Sequence, residues 1–145
     1  MASVLGLEAK IYRNTGNYAS PTWVELTNVK DVTLTLEKDF ADTSTRAANG
    51  WKTGRATLKN AKVDFSMLWD TSDAGFTAIS GAFFNNTTIE FAVLSGASNT
   101  NGSQGLRATM DVVNFSRKEP LNEALTVDVS LQPAPSNNAP SWMTV

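Results

Sequence analysis

Apolar and polar positions alternate along most of this chain. The longest such run predicts a hairpin from Asp31 to Trp69 around which the remainder is arranged. Val32, Leu34 and Leu36 fall on one side of its first arm, with Asp31, Thr33, Thr35 and Glu37 on the other, the two-residue period of a half-buried strand. In the second arm Ala56 and Leu58 share a face, after which the apolar set moves to Ala61, Val63, Phe65, Met67 and Trp69. One extra residue at Lys59–Asn60, a bulge, restores the facing. Lys38 to Thr53 reads as a long connection between the arms, and connections beyond about 12 to 15 residues are mostly functional or disordered.

The same period continues on both sides of the hairpin. Leu5, Leu7, Ala9 and Ile11 alternate with polar partners through Tyr12, which suggests a first strand or an extended arm; a turn-rich stretch runs from Asn14 to Pro21, and Thr22 to Leu26 makes a short strand. The period then changes to helical. Phe76, Ile79, Phe83 and Phe84 recur at helical spacing through Asn85, with Asp70 or Ser72 as cap and Asp73 in the first turn, and the aromatic stripe packs on the sheet. Ile89, Phe91 and Val93 form a further strand, and Ser95 to Gln104 is a polar loop. Leu106, Ala108, Met110 and Val112 then alternate, the phase slips at Val112–Val113, and Phe115 continues in the new register. Arg117 to Asn122 connects to the last strand, in which Leu125, Val127, Val129 and Leu131 alternate with polar residues. Residues 133–145 read as an extended, proline-rich arm that docks on its own domain or on a neighbouring subunit.

Composition narrows the function classes. A chain of 145 residues is one domain by length, spanning 1–145. Twelve basic against fourteen acidic residues give a net charge of −2, which provides no global field to hold a polyanion or an acidic membrane. The absence of cysteine and histidine excludes disulfides, thiolate metal sites and Ser-His-Asp or Cys-His catalysis. Met1 to Leu7 lacks a signal-peptide pattern and no run of about 18 apolar residues occurs, so the expectation is a soluble, unexported protein.

The search for reactive groups is largely negative. Asp64, Asp70 and Asp73 are the densest carboxylates, but the first lies on the polar face of a strand and the others suit a helix start, so capping and solvation account for them. Asn49 to Arg55 has glycines and bases without the spacing of a phosphate-binding loop. No catalytic, cofactor or metal residue is assigned. Thr43 to Lys62 carries five basic residues and no acid, while Glu37, Asp39 and Asp42 lie just before it, a pattern suited to pairing across a subunit interface.

Val32 to Glu37, Asp42 to Arg46, Asn49–Trp51, the strand through Trp69–Asp70, Phe76 to Thr87 and the closing strands from Gly105 to Gln132 together resemble the major tail tube proteins of long-tailed bacteriophages. The likeness covers about Lys30 to Pro133 and lies in the whole succession. It implies a mainly β (α+β) fold, a β-sandwich or half-barrel of antiparallel strands with one packed α-helix. It also implies a structural virion protein whose hexameric rings stack into the tube that conducts the genome at ejection. No enzymatic activity and no cofactor go with it. The loop 38–53 and the termini then meet adjacent rings, which makes Asp39, Phe40, Asp42, Arg46, Asn49, Trp51, Lys52 and Trp142 the expected contacts. Implied partners are further copies of the chain, the tape measure, terminator and tip proteins, and double-stranded DNA passing without specific binding, with no membrane. The implied location is the virion tail, assembled in the host cytoplasm.

One point follows from the residues independently. Long amphipathic strands leave unpaired edges that a monomer has to blunt, whereas a closed ring of copies removes them. The polar strand faces then become the expected lumen, with Asp31, Glu37, Asp64, Asp111 and Asp128 opposed by Lys62 and Arg107. The alternative is a monomeric carbohydrate-binding β-sandwich of a phage or bacterial surface structure, with Trp23, Trp51 or Trp142 as the sugar platform.

Overall fold

The computed structural model describes residues 3–145, so the first two residues of the expected 1–145 domain lie outside the described residues. Its strands are β1 (Lys10–Asn14), β2 (Trp23–Glu25), β3 (Val29–Asp42), β4 (Gly54–Leu68), β5 (Thr88–Leu94), β6 (Gln104–Lys118), β7 (Thr126–Pro133) and β8 (Ser141–Thr144). All pair antiparallel in one sheet of order β2-β1-β5-β6-β7-β4-β3, and β8 lies along β6 beyond the end of β7. The helix α1 (Ala74–Asn85) packs on β5 and β6.

The sheet curls. Ile11 of β1 and Leu26 share one buried cluster with Val63, Phe65 and Met67 of β4 and with Phe76 and Ile79 of α1. In a flat sheet β1 and β4, four strand spacings apart, would be separated by roughly 19 Å, so a common core requires the sheet to wrap around the helix as a half-barrel. The odd-numbered residues of β4 and β7 and the even-numbered residues Leu106 to Val112 of β6 supply that core, as their alternation indicates. A second, smaller cluster, Tyr12, Ala92 and Leu94 with Trp23, Met143 and Val145, lies on the opposite face near β8. Gly105 is fixed by close approach: a β-carbon there would collide with the carbonyl of Val93 on β5.

Three details differ from the sequence expectation. The alternation from Leu5 does not become a strand: Gly6–Glu8 forms a 3-10 turn, Leu7 is 91% exposed, and pairing starts only at Lys10. The connection at 38–53 is shorter than expected because β3 runs to Asp42 and β4 starts at Gly54, so Lys38 to Asp42 are strand residues. Asp73, not Asp70 or Ser72, caps α1, accepting a 2.9 Å hydrogen bond from the Phe76 amide; Asp70 instead accepts from Ser72 in the preceding turn. Of the two dockings expected for the arm at 133–145, the described chain shows the one on its own domain, with Ser141–Thr144 pairing with Gln104–Arg107 of β6.

Both phase slips are real. In β4 the extra residue falls at Thr57–Leu58, because Lys38 pairs with Lys59 but Phe40 pairs with Ala56. The slip thus lies two residues before the expected Lys59–Asn60, beside Leu58 in the first apolar run, while Lys59 and Asn60 pair regularly with Lys38 and Glu37. In β6 it falls at Val113, between the pairs Val112–Leu131 and Asn114–Ser130.

Candidate functional site

The chain's longest strands create surfaces rather than a cleft. β7 accompanies β4 only from Val63 to Leu68, so the far halves of β3 and β4 project beyond the sheet as a two-stranded arm. Asp39, Phe40 and Asp42 lie on this arm, and Arg46, Asn49, Trp51 and Lys52 lie in the connection at its tip. The tip is built, not loose. Ser44 donates to the Thr53 carbonyl and accepts from its amide, and the Thr43 amide donates to the Thr53 carbonyl. Arg46–Ala48 forms a 3-10 turn, and Asn49 ends it in the left-handed region at φ 54°, which asparagine tolerates. The Ser44 hydroxyl and amide beside Asp42 lower its carboxyl pKa below the ordinary aspartate value.

The arm is unusually apolar for a free surface. Phe40 is 72% exposed, Leu58 73% and Trp51 78%, with Leu36 nearer the base. Its charges have no home partners: among the described residues Asp39, Arg46, Lys52, Arg55 and Lys59 make no ion pair within the chain. Trp142 is set apart from the tip, on β8, where its indole N–H donates to Gln104 and its ring borders a groove at the base of the arm.

The second surface is the polar face of β3, β4, β7 and β6. Residues directly paired in an antiparallel sheet share a face. The pairs Thr33–Asp64, Thr35–Lys62, Glu37–Asn60, Asp64–Ser130, Ser66–Asp128 and Asp111–Gln132 therefore align Glu37, Asp64, Asp111 and Asp128 on one side. Lys30 and Lys118 join Lys62 there, which makes the face closer to charge balance than the sequence alone suggests. Two of these three lysines are occupied. Lys118 lies 2.8 Å from Asp128, which also accepts from the Ser66 hydroxyl, and Lys62 lies 3.8 Å from Asp64, which accepts from Ser130. The Lys118 and Ser66 bonds lower the Asp128 carboxyl pKa, and Asp128 raises that of Lys118. Asp31 is not aligned with this set: it adopts φ 56° inside a register break between Lys30 and Thr33.

Arg107, expected as a lumen cation, is instead locked within the fold. Glu90 accepts from its Nε at 3.0 Å and from a terminal nitrogen at 3.1 Å, and also accepts from Asn14 at 2.6 Å. The guanidinium lies 3.9 Å from the Tyr18 ring centroid and 5.1 Å from that of Trp23. This clamp was invisible in the sequence, because its members come from β1, the turn after it, β2, β5 and β6.

Other readings find no geometry. Asp64 and Asp70 do not converge, since one lies on the sheet face and the other in the turn before α1. Trp23, Trp51 and Trp142 lie on β2, the arm tip and β8 and form no common platform. Among the described residues no cluster of acidic side chains is arranged to hold a metal ion, and no helix is long and apolar enough to cross a membrane.

Comparison with known proteins settles the family. The profile described as phage tail tube protein matches residues 10–135, nearly the entire described chain. The chain belongs to the phage tail tube protein family. No curated protein sequence matches it significantly. Solved structures share the fold at low identity. The tail of an empty gene transfer agent particle, refined with C6 symmetry, superposes with a TM-score of 0.73 at 13% identity, over 99% of each chain. The SPP1 tail tube gives 0.72 at 14% identity, over 90% of this chain and 75% of that one. A component of the six-fold symmetrised baseplate of the anti-feeding prophage gives 0.65 at 10% identity, over 100% and 98%. The protein is thus a structural tail tube subunit, and the half-barrel described above is a tail tube fold.

Proposed function

We propose that this tail tube protein closes into six-membered rings by joining sheet edges, and that the rings stack into the conduit for the genome. The observation that carries this reading is a pair of open edges on the β3-β4-β7-β6 part of the sheet. β3 is terminal in the strand order along its 14 residues, and β6 from Val113 to Lys118 has β7 on one side and, among the described residues, no strand on the other. The directions agree. Along β3, β4, β7 and β6 the strands alternate, so β3 of the next copy beside β6 continues the antiparallel order without interruption. Such unpaired edges are a liability in a monomer, and ring closure removes them.

In this arrangement the polar face carrying Glu37, Asp64, Asp111 and Asp128 lines the lumen, and α1 and the aromatic residues around it face outward. With Lys62 and Lys118 bound to carboxylates and Glu37, Asp64, Asp111 and Asp128 outnumbering the lysines, the face holds phosphate weakly, so DNA slides rather than sticks. The projecting arm, with Asp39, Phe40, Asp42, Arg46, Asn49, Trp51 and Lys52, meets the adjacent ring, where its unpaired charges and apolar side chains find partners. The reading includes tape measure, terminator and tip proteins at the ends, assembly in the host cytoplasm, and no enzymatic step. Amide hydrogen exchange tests it. Outward amides of β3 and of residues 113–118 exchange fast in dilute subunits and become protected on assembly; equal exchange in both states contradicts edge joining.

A further inference from the structure

The groove at the base of the projecting arm has a shape and charge that one other part of the same chain matches. It lies where β7 has ended, between the unaccompanied half of β4 and β8, with a volume of about 850 Å³. Leu36, Leu106, Pro133, Pro140 and Trp142 make it apolar, and Glu37, Lys38 and Lys59 are its charged residues. Lys38 and Lys59 pair directly across β3 and β4, and among the described residues neither has an ion-pair partner. Like charges directly opposite destabilise a sheet, so an acidic side chain brought to this unpaired lysine pair is favoured.

The matching part is the turn from β6 to β7. Leu121 at its tip is 99% exposed, the highest value among the exposed large apolar residues, and Glu119 and Glu123 flank it. Glu123 has no ion-pair partner among the described residues, and Glu119 has only the exposed Arg117 at 3.5 Å. This turn starts β7, whereas Pro133 at the groove ends it, and the 8 residues of β7 hold the two roughly 25 Å apart along the strand direction. Groove and turn therefore lie at opposite ends of one subunit and cannot meet within it.

Resting on the stacked-ring reading above, we infer that the Leu121 turn of a subunit in one ring inserts into the Leu36–Trp142 groove of a subunit in the next. The apolar tip fills the groove, and Glu119 and Glu123 neutralise the Lys38–Lys59 pair. Such a contact joins two different surfaces head to tail, so it repeats from ring to ring without closing and gives the stack its polarity.

The cysteine-free sequence makes the test clean, because introduced thiols are the only ones present. Leu121→Cys and Ala139→Cys, the second in the groove wall, are assembled separately and as a mixture under mild oxidation. The expected result is a disulfide-linked dimer in the mixture alone, and a ladder from a chain carrying both. Stacks that form without any such crosslink overturn this contact and leave the ring reading intact; a protein that yields only monomers overturns both. Charge reversal provides a second readout. Lys59→Glu is expected to raise the concentration needed for stacking severalfold, and Glu123→Lys in the same chain to restore it. A double variant that stacks no better than Lys59→Glu overturns the electrostatic pairing.

Discussion

The ring of Phe40 lies over Gly54 on the projecting arm, so close that a β-carbon at position 54 would run into Cε2, Cδ2 and Cζ of that ring. The glycine seats an otherwise exposed aromatic side chain and fixes where it points. Because Phe40 is 72% exposed, Gly54→Ala displaces the ring without disturbing a core and is expected to change subunit stability by no more than about 0.5 kcal/mol. Assembly is expected to weaken nonetheless, read as a higher concentration for the onset of light scattering. Gly105→Ala is the contrast, since its obstacle is the Val93 backbone; unfolding in urea is expected to show a loss of about 1–3 kcal/mol.

The Lys118–Asp128 pair makes stability depend on acid. Hydrogen bonds from Lys118 and Ser66 lower the Asp128 carboxyl pKa in the folded state, so its stabilising contribution is complete above the unfolded aspartate pKa of about 4. It is lost as pH falls through the lowered folded value. Urea midpoints measured at pH 6 and at pH 3 are expected to fall further for the wild type than for Asp128→Asn, which lacks the titrating group. Equal falls contradict the linkage.

The Arg107–Glu90 clamp joins the turn after β1 to the middle of the sheet. Both side chains are largely buried, at 15% and 10% exposure, so Glu90→Ala leaves a guanidinium without its counter-charge and is expected to cost about 3 kcal/mol in thermal or urea unfolding. Glu90→Gln is expected to cost less, because the amide oxygen still accepts from Asn14 or Arg107. A shift in tryptophan emission is expected in Glu90→Ala, since Trp23 lies beside the same guanidinium.

Sequence pattern made the hairpin, the helix and both register slips legible, because each leaves a periodic trace: Val63, Phe65 and Met67 alternate, and Phe76 and Ile79 repeat at helical spacing. The same logic failed at Leu5 and Leu7, where apolar alternation exists but no neighbouring strand is there to pair with it. It also failed in the arm, where Lys38 to Asp42 are polar enough to read as loop and yet remain in strand because β4 pairs with them. Residue type suggested one shared polar face for Asp64 and Asp128, and strand parity gives them one, but parity gives no direction to Asp31, which sits in a left-handed break. The groove beside Trp142 has no sequence signature, because it is made by where β7 stops and how the chain returns as β8.

The central claim is that the open edges of β3 and β6 are satisfied by copies of the same chain. Electron microscopy of the purified protein tests it most directly. The expected result is six-fold rings and stacked tubes in which β3 of one subunit borders β6 of the next. Single subunits at every concentration, or rings whose neighbours touch elsewhere and leave those edges bare, would contradict it.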